Sequence, residues 1–419
     1  MRASHPTDRR ADAAHPTGPP PAAPADRHEP CPADGFRPAA VDRDVSAAVG
    51  RVLAQVLAEH LARARALDPL FARDVADRVA RFTLDGGKRL RSRLVWWAMR
   101  ACGGRDDVAA RAALRTGAAL ELIQTCALAH DDLMDGAGTR RGRPALHASV
   151  AAQYRRTAPD GRAERLGEAA AVLAGDLALA WADDLIADTV VPERGSRRVR
   201  ELWRDMRTEM VAGQYLDVQG QATRSHAVPQ AVRAATLKSA LYSVERPMAL
   251  GAALAGADPA TTASLCAAGR CAGLAFQLRD DIDDLYADPD RTGKPPGGDL
   301  RNGKPTYLFT VARAWADAAG DLNALAVLDE AHGRADLPES ALDPVRRVLV
   351  TTGALRAVED RIGRLARCAV GQLRSARLEP TGGAELERLL LRVAGLPTSR
   401  PAAGPLSAAP VAETEESGR

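Results

Sequence analysis

Apolar residues recur along most of this chain at intervals of three and four. In VGRVLAQVLAEHLARARAL, Val49, Val52, Leu53, Val56, Leu57 and Leu61 fall on one stripe. That period lets one face of a helix bury while the other stays wet. LGEAAAVLAGDLALAWADDLIA and, near the end, LLRVAGL behave likewise. Pro and Gly clusters mark the joints: Asp85-Gly86-Gly87, Gly136 to Gly142, Thr157 to Gly161, Thr292 to Gly298, and Pro380 to Gly383. No fixed-period repeat of the solenoid kind emerges. The pattern predicts an all-α fold, a single large bundle of ten or more helices.

The pattern is absent at both ends. Residues 1 to about 42 hold nine prolines among Ala, Asp and Arg, with almost no large aliphatic residues. Such a stretch cannot bury enough surface to offset its ordering entropy. Disordered tails are therefore predicted at 1–42 and 396–419, around one helical domain at 43–395.

Composition narrows the class. Aromatics make up 4 % of the 419 residues, and Ala, Leu and Arg dominate, which favours helix over a sandwich or barrel. The 57 basic and 54 acidic side chains leave a net charge of +3, too balanced for nucleic acid to be the main partner. No run approaches the roughly 18 apolar residues of a membrane span. The first residues lack the apolar core of a secretory signal. Six scattered cysteines (Cys31, Cys102, Cys126, Cys266, Cys271, Cys368) show no paired zinc spacing and read as reduced thiols. A cytoplasmic protein is expected.

Chemistry concentrates in three stretches. In HDDLMDGAGTRRGRPALH, Asp131 and Asp135 are four apart and Asp132 and Asp135 three apart, spacings that share a helix face. Crowded carboxylates repel, and a hard divalent cation such as Mg²⁺ removes that cost. Arg140 and Arg141 follow, suited to gripping the oxygens of a metal-bridged polyanion. The second stretch, FQLRDDIDDLYADPDRTGKPPGGDLRNGKPT, repeats the arrangement with Asp280, Asp281 and Asp284, then Lys294 and Lys304. Two such clusters facing one cavity would hold several Mg²⁺ ions around a diphosphate leaving group. The third, GGKRLRSRLVWWAM, places Lys88 and Arg91 on one face at a predicted helix start, where an anion is favoured.

Taken together, GGKRLR, DDLMD with RRGRP, GDLAL, GQYLD, LKSALYSVERP, FQLRDDIDD and GKPPGGDLRNGKPT resemble, in this order, the trans-isoprenyl diphosphate synthases, the polyprenyl synthetase family. The resemblance runs from about Leu53 to Leu391. It implies that Asp131, Asp135, Asp280, Asp281 and Asp284 bind Mg²⁺, three ions per site, with Asp132 close by. It implies that Lys88, Arg91 and Arg141 bind the diphosphate of isopentenyl diphosphate. Gln124 stands there in place of the usual histidine. Arg140, Lys238, Ser239, Gln277, Lys294 and Lys304 match the contacts to the allylic diphosphate, with Ser239 replacing threonine but keeping the hydroxyl. His130 and His147 flank the first motif and read as packing or supporting hydrogen-bond residues. The implied reaction ionises the allylic diphosphate, condenses it with the alkene and eliminates a proton, in a homodimer.

Product length turns on the helix before Asp131. Ala127 and Cys126 lie roughly 6 to 7.5 Å below it and Ile123 about 12 Å below. The first two are small where members that stop at fifteen carbons carry an aromatic, so geranylgeranyl diphosphate (C20) is expected, with farnesyl or longer products as the alternative. Two rivals are a class I terpene cyclase and a non-catalytic partner subunit. The first does not need Lys88 and Arg91, and the second would be expected to lose carboxylates that are present here.

Overall fold

The computed structural model describes residues 38–288 and 295–396. Helix follows helix through this body. The long helices are α1 (Val45–Leu67), α2 (Asp107–Met134), α3 (Arg162–Ala187), α4 (Glu193–Ala222), α5 (Pro259–Tyr286) and α6 (Ala354–Ser375). Their starts are written in the sequence. Asp44, Asp106 and Asp258 each accept a hydrogen bond from a free first-turn N–H: Ala47 N at 2.9 Å, Ala109 N at 2.8 Å and Ala260 N at 2.9 Å. Pro259 then fills the first helical position of α5, where no N–H is required.

The core is aliphatic, with Trp96, Leu120, Leu122, Ile123, Leu202, Met206, Met248 and Leu250 fully buried. Close packing uses small residues. In GDLAL, a Cβ on Gly175 would collide with the His130 ring, so α3 can approach α2 only with glycine there. His130 Nε2 lies 3.1 Å from the Val172 carbonyl, a packing contact to α3. A second apolar cluster joins Leu278, Ile282 and Leu285 of α5 to Leu308, Leu328, Leu349, Val358 and Ile362 of the C-terminal helices.

Between α4 and α5 runs a continuous helical stretch: Val228–Ala235, the π-helical Thr236–Glu245, and Arg246–Ala255. Glycines on both flanking helices admit it. A Cβ on Gly213 of α4 would strike the Lys238 backbone nitrogen, and one on Gly273 of α5 would sit 2.6 Å from Ala240 Cα.

Two features depart from the sequence reading. The helical body begins at Pro38, inside the predicted 1–42 tail: Pro38–Arg43 is helical and buries Val41. It is anchored by Asp42, whose Oδ1 accepts from Trp96 Nε1 at 2.9 Å and whose Oδ2 meets Arg100 Nη2 at 3.0 Å. Second, the only strands among the described residues are the two-residue pair Thr139–Arg140 and Arg143–Pro144, a hairpin turning on Arg141 (φ 53°) and Gly142 (φ 73°). Two positive φ angles in a two-residue loop make the primed turn that suits strand twist, and glycine makes the second cheap. No helix among the described residues is long and apolar enough to cross a membrane.

Candidate active site

Helices α2, α4 and α5 and the π-helical stretch enclose a cavity of about 870 Å³. Asp131 and Asp135 enter it from α2, and Asp280, Asp281 and Asp284 from α5. The two aspartate clusters thus line opposite walls of one chamber.

On the first wall every carboxylate meets a cation. The hairpin swings Arg140 back onto α2, where its Nε donates to Asp132 Oδ1 at 2.6 Å and its Nη2 to Asp131 Oδ2 at 3.3 Å. Lys238 Nζ donates to Asp131 Oδ1 at 3.0 Å and to Asp217 Oδ2 at 2.6 Å. Lys304 Nζ donates to Asp135 Oδ2 at 2.7 Å. Gln214 adds a bond to Asp131 Oδ1 at 3.1 Å. Burial opposes ionisation of Asp131, but Lys238 and Lys304, then Arg140, override it and hold the carboxyl below the ordinary range. Asp132 does not share the cavity face. It is 1 % exposed and acts behind the wall, through Arg140.

The second wall is different. Asp281 is buried, accepting from Gln277 Nε2 at 2.8 Å and from the Tyr307 backbone N–H at 3.2 Å, while Gln277 in turn is bonded by Ser239. Asp284 accepts from the Asp299 N–H at 3.1 Å. Burial raises the pKa of Asp281 well above the usual value, reinforced by the Asp299 and Asp280 carboxylates. Burial, then Asp299, pushes Asp284 up to about 7. Lys304 reaches from Asp135 on the first wall to Asp299, the acid beside Asp284, at 3.5 Å. Burial opposes its charge, yet Asp299, Asp217, Asp135 and Asp131 outweigh that and raise its pKa.

A third group lies at the deeper end. The Arg91 guanidinium stacks 4.4 Å over the Tyr242 ring and donates to Ser243 Oγ at 2.7 Å. The Tyr242 hydroxyl donates to Gln124 Oε1 at 3.0 Å. Arg91, Gln124, Tyr242 and Ser243 all line the cavity. Lys88 does not. The helix starts at Leu90, and the left-handed residue before it is Arg89 (φ 47°), so Lys88 sits exposed on the preceding loop and shares no helix face with Arg91. Arg141, at the hairpin tip, is also outside the lining, over the Phe82 ring near Asp85. Lys294 lies outside the described residues.

A sequence profile of the Polyprenyl synthetase family matches residues 73–340. The chain belongs to the polyprenyl synthetase family. It is 36 % identical over 243 residues to geranylgeranyl diphosphate synthase of Mycobacterium tuberculosis, 57 % of this chain and 62 % of the relative. It is 33 % identical over 246 residues to (2E,6E)-farnesyl diphosphate synthase of the same organism, again spanning 62 % of the relative's length and 58 % of its own. Among solved structures, a Corynebacterium glutamicum geranylgeranyl pyrophosphate synthase complexed with isoprenyl diphosphate and magnesium is similar, with a TM-score of 0.77 at 33 % identity, covering 83 % of this chain and 98 % of that one.

This polyprenyl synthetase presents a donor set that suits magnesium. Asp135 Oδ1 is buried without a hydrogen-bond partner among the described residues, and the second wall crowds carboxylates that burial and neighbouring negative charge drive toward the neutral acid. Among the described residues no three carboxylates converge into a ready-made cage. Magnesium does not need one, since it keeps several waters and takes one or two carboxylates plus substrate phosphate.

Two acids escaped the sequence reading: Asp217, which receives Lys238, and Asp299, which crowds Asp284. They stand in GQYLD and GGDLRNGK, motifs noted for their order but not for their charge. The chain-length positions need correction too. Ala127 lines the cavity with Leu128 and Gln124, but Cys126 and Ile123 do not. Rise along a helix gives depth, whereas 100° per residue decides direction. Positions three, four and seven before Asp131 face the chamber. Cys126, five before, turns toward His130 Nδ1, 3.8 Å away.

Proposed function

We propose that this chain is a cytoplasmic, Mg²⁺-dependent trans-prenyltransferase that condenses isopentenyl diphosphate head-to-tail with allylic diphosphates to give geranylgeranyl diphosphate. One observation carries the reading: Asp131, Asp135, Asp280, Asp281 and Asp284 line a single chamber.

Magnesium, three ions per site held by those five carboxylates, would supply positive charge to the departing diphosphate. Arg140, Lys238 and Lys304, now shared among carboxylates, grip the allylic diphosphate oxygens as the C–O bond breaks. Ser239 and Gln277 orient that group from the second wall. Arg91 and Gln124 hold the second diphosphate, toward which Lys88 and Arg141 would turn from their loops when it binds. Tyr242 fixes the first pair. The alkene is thereby aimed at the allylic carbon, a proximity effect. Ala127, Leu128, Met210 and Phe276 line the chamber and keep water from the cationic carbon. As the new C–C bond forms, the surplus proton passes to the released diphosphate, which the lysines still hold.

The C20 product is supported by Ala127, a small residue one turn below Asp131 on the chamber wall. A homodimer is supported by Leu166, Val172 and Leu173, aliphatic side chains left exposed along α3. The deciding experiment incubates the purified protein with isopentenyl diphosphate and each allylic diphosphate, with and without Mg²⁺, and separates products by chain length. A C20 product that needs Mg²⁺ is expected, and Ala127→Phe should shorten it. A C15 or longer main product overturns the chain length, a hydrocarbon from geranylgeranyl diphosphate alone indicates a cyclase, and no condensation sinks the proposal.

A further inference from the structure

Away from the chamber, two thiols on different helices nearly touch. Cys271 of α5 places its Sγ 2.9 Å from Cys368 Sγ of α6. A disulfide bond is about 2.05 Å long, so closure needs a movement of under ~1 Å. We propose that Cys271 and Cys368 form a redox-active dithiol that closes to an intramolecular disulfide by exchange with a low-molecular-weight disulfide.

The two sulfurs are unequal in a way that orders the steps. Cys368 is exposed and Cys271 half-buried. The Cys271 S–H donates toward the Cys368 sulfur. Burial, then that same hydrogen bond, pushes the Cys271 thiol up to about 12. Cys368 is therefore the sulfur that meets the oxidant. As thiolate it attacks one sulfur of the small disulfide, forms a mixed disulfide and expels one small thiolate. Cys271 then gives up its proton and attacks the Cys368 sulfur, expelling the second. Two protein thiols are oxidised, one small disulfide is reduced to two thiols, and both protons end on those thiols.

The surroundings favour a bridge over other uses of the pair. No third His, Cys, Asp or Glu joins it to form a metal site among the described residues. Burial raises the thiols of Cys102 and Cys126 to about 12 and also raises that of Cys266, so these react poorly as thiolates. The bond would close a loop across 97 positions, tying α6 to the helix that bears Asp280, Asp281 and Asp284. A constraint across so long a loop stabilises chiefly by restricting the unfolded chain. In a reducing compartment the thiols stay open, and the bridge forms when the poise turns oxidising.

The test treats the full-length protein with oxidised glutathione, alkylates the remaining thiols and maps peptides by mass under non-reducing conditions. The expected result is one cross-linked pair, Cys271 with Cys368, reversed by reduced glutathione and accompanied by a melting temperature several degrees higher. Cys271→Ser should instead retain glutathione on Cys368, with no rise in melting temperature. Cys368→Ser, a change at an exposed position, should fold and melt like the reduced wild type and form no cross-link. Full alkylation of both cysteines after oxidation, glutathione stably held on wild-type Cys368, or a Cys368–Cys368 bond between two copies would each overturn the proposal.

Discussion

The two aspartate walls share one spacing and differ in electrical state. On α2, Asp131 and Asp132 meet Arg140, Asp131 also meets Lys238, and Asp135 meets Lys304. On α5, Asp281 and Asp284 have hydrogen-bond donors, no ion pair of theirs appears among the described residues, and Asp299 adds another negative neighbour. The first wall is charge-compensated by the protein. On the second, burial and neighbouring carboxylates push Asp281 and Asp284 toward the protonated form. Two motifs of one spacing thus sit in different electrostatic surroundings, since the hairpin and the π-helical stretch both deliver their basic residues to α2.

The largest way to break this contrast is Lys304→Ala, which removes the cation that joins Asp135 to Asp299. Loss of one such stabiliser should lower kcat by about 10²–10³-fold, measured with both diphosphates saturating. A loss below about tenfold would show that the walls do not share this lysine. Next comes pH. Asp284 titrates near 7 and must shed its proton to take a metal, so the Mg²⁺ concentration for half-activity should rise about tenfold per pH unit below 7. Asp284→Asn should flatten that dependence, leaving only what Asp281 contributes. The same protons act on folding. Between its ordinary value of 3.8 and about 7, Asp284 binds more proton in the folded than in the unfolded chain. Metal-free stability should therefore fall as pH rises through that window. Thermal melts from pH 5 to 8 would check it, and saturating Mg²⁺ should reverse the trend. The smallest effect sharpens the comparison. Gln277→Leu removes a bond that favours ionised Asp281 and should raise half-saturating Mg²⁺ about fivefold. Gln214→Leu, beside an Asp131 that keeps its cations, should change it by less than about twofold.

The all-α fold, both aspartate clusters and their basic partners were legible because helical period and carboxylate spacing are local signals. What escaped depends on direction in space. Tyr242 is an unremarked residue of LKSALYSVERP until the fold sets its ring under Arg91 and its hydroxyl on Gln124. Cys126 has the right depth and the wrong rotation. Lys88 lost its helix because the left-handed turn falls at Arg89 and delays the start to Leu90. Asp217 and Asp299 acquire meaning only from the lysines that tertiary packing brings to them.

The wide winding of Thr236–Glu245 sends Lys238 to Asp131, Ser239 to Gln277, Tyr242 to Gln124 and Ser243 to Arg91, four partners on three helices. Deleting one residue between Ser239 and Tyr242 would let the backbone tighten toward ordinary α geometry, so that the stretch no longer fans its side chains over all four partners. Lys238 and Ser239 would then keep Asp131 and Gln277 only as Tyr242 and Ser243 turned away from Gln124 and Arg91. Both groups of contacts are thus set together by the pitch of one wide coil.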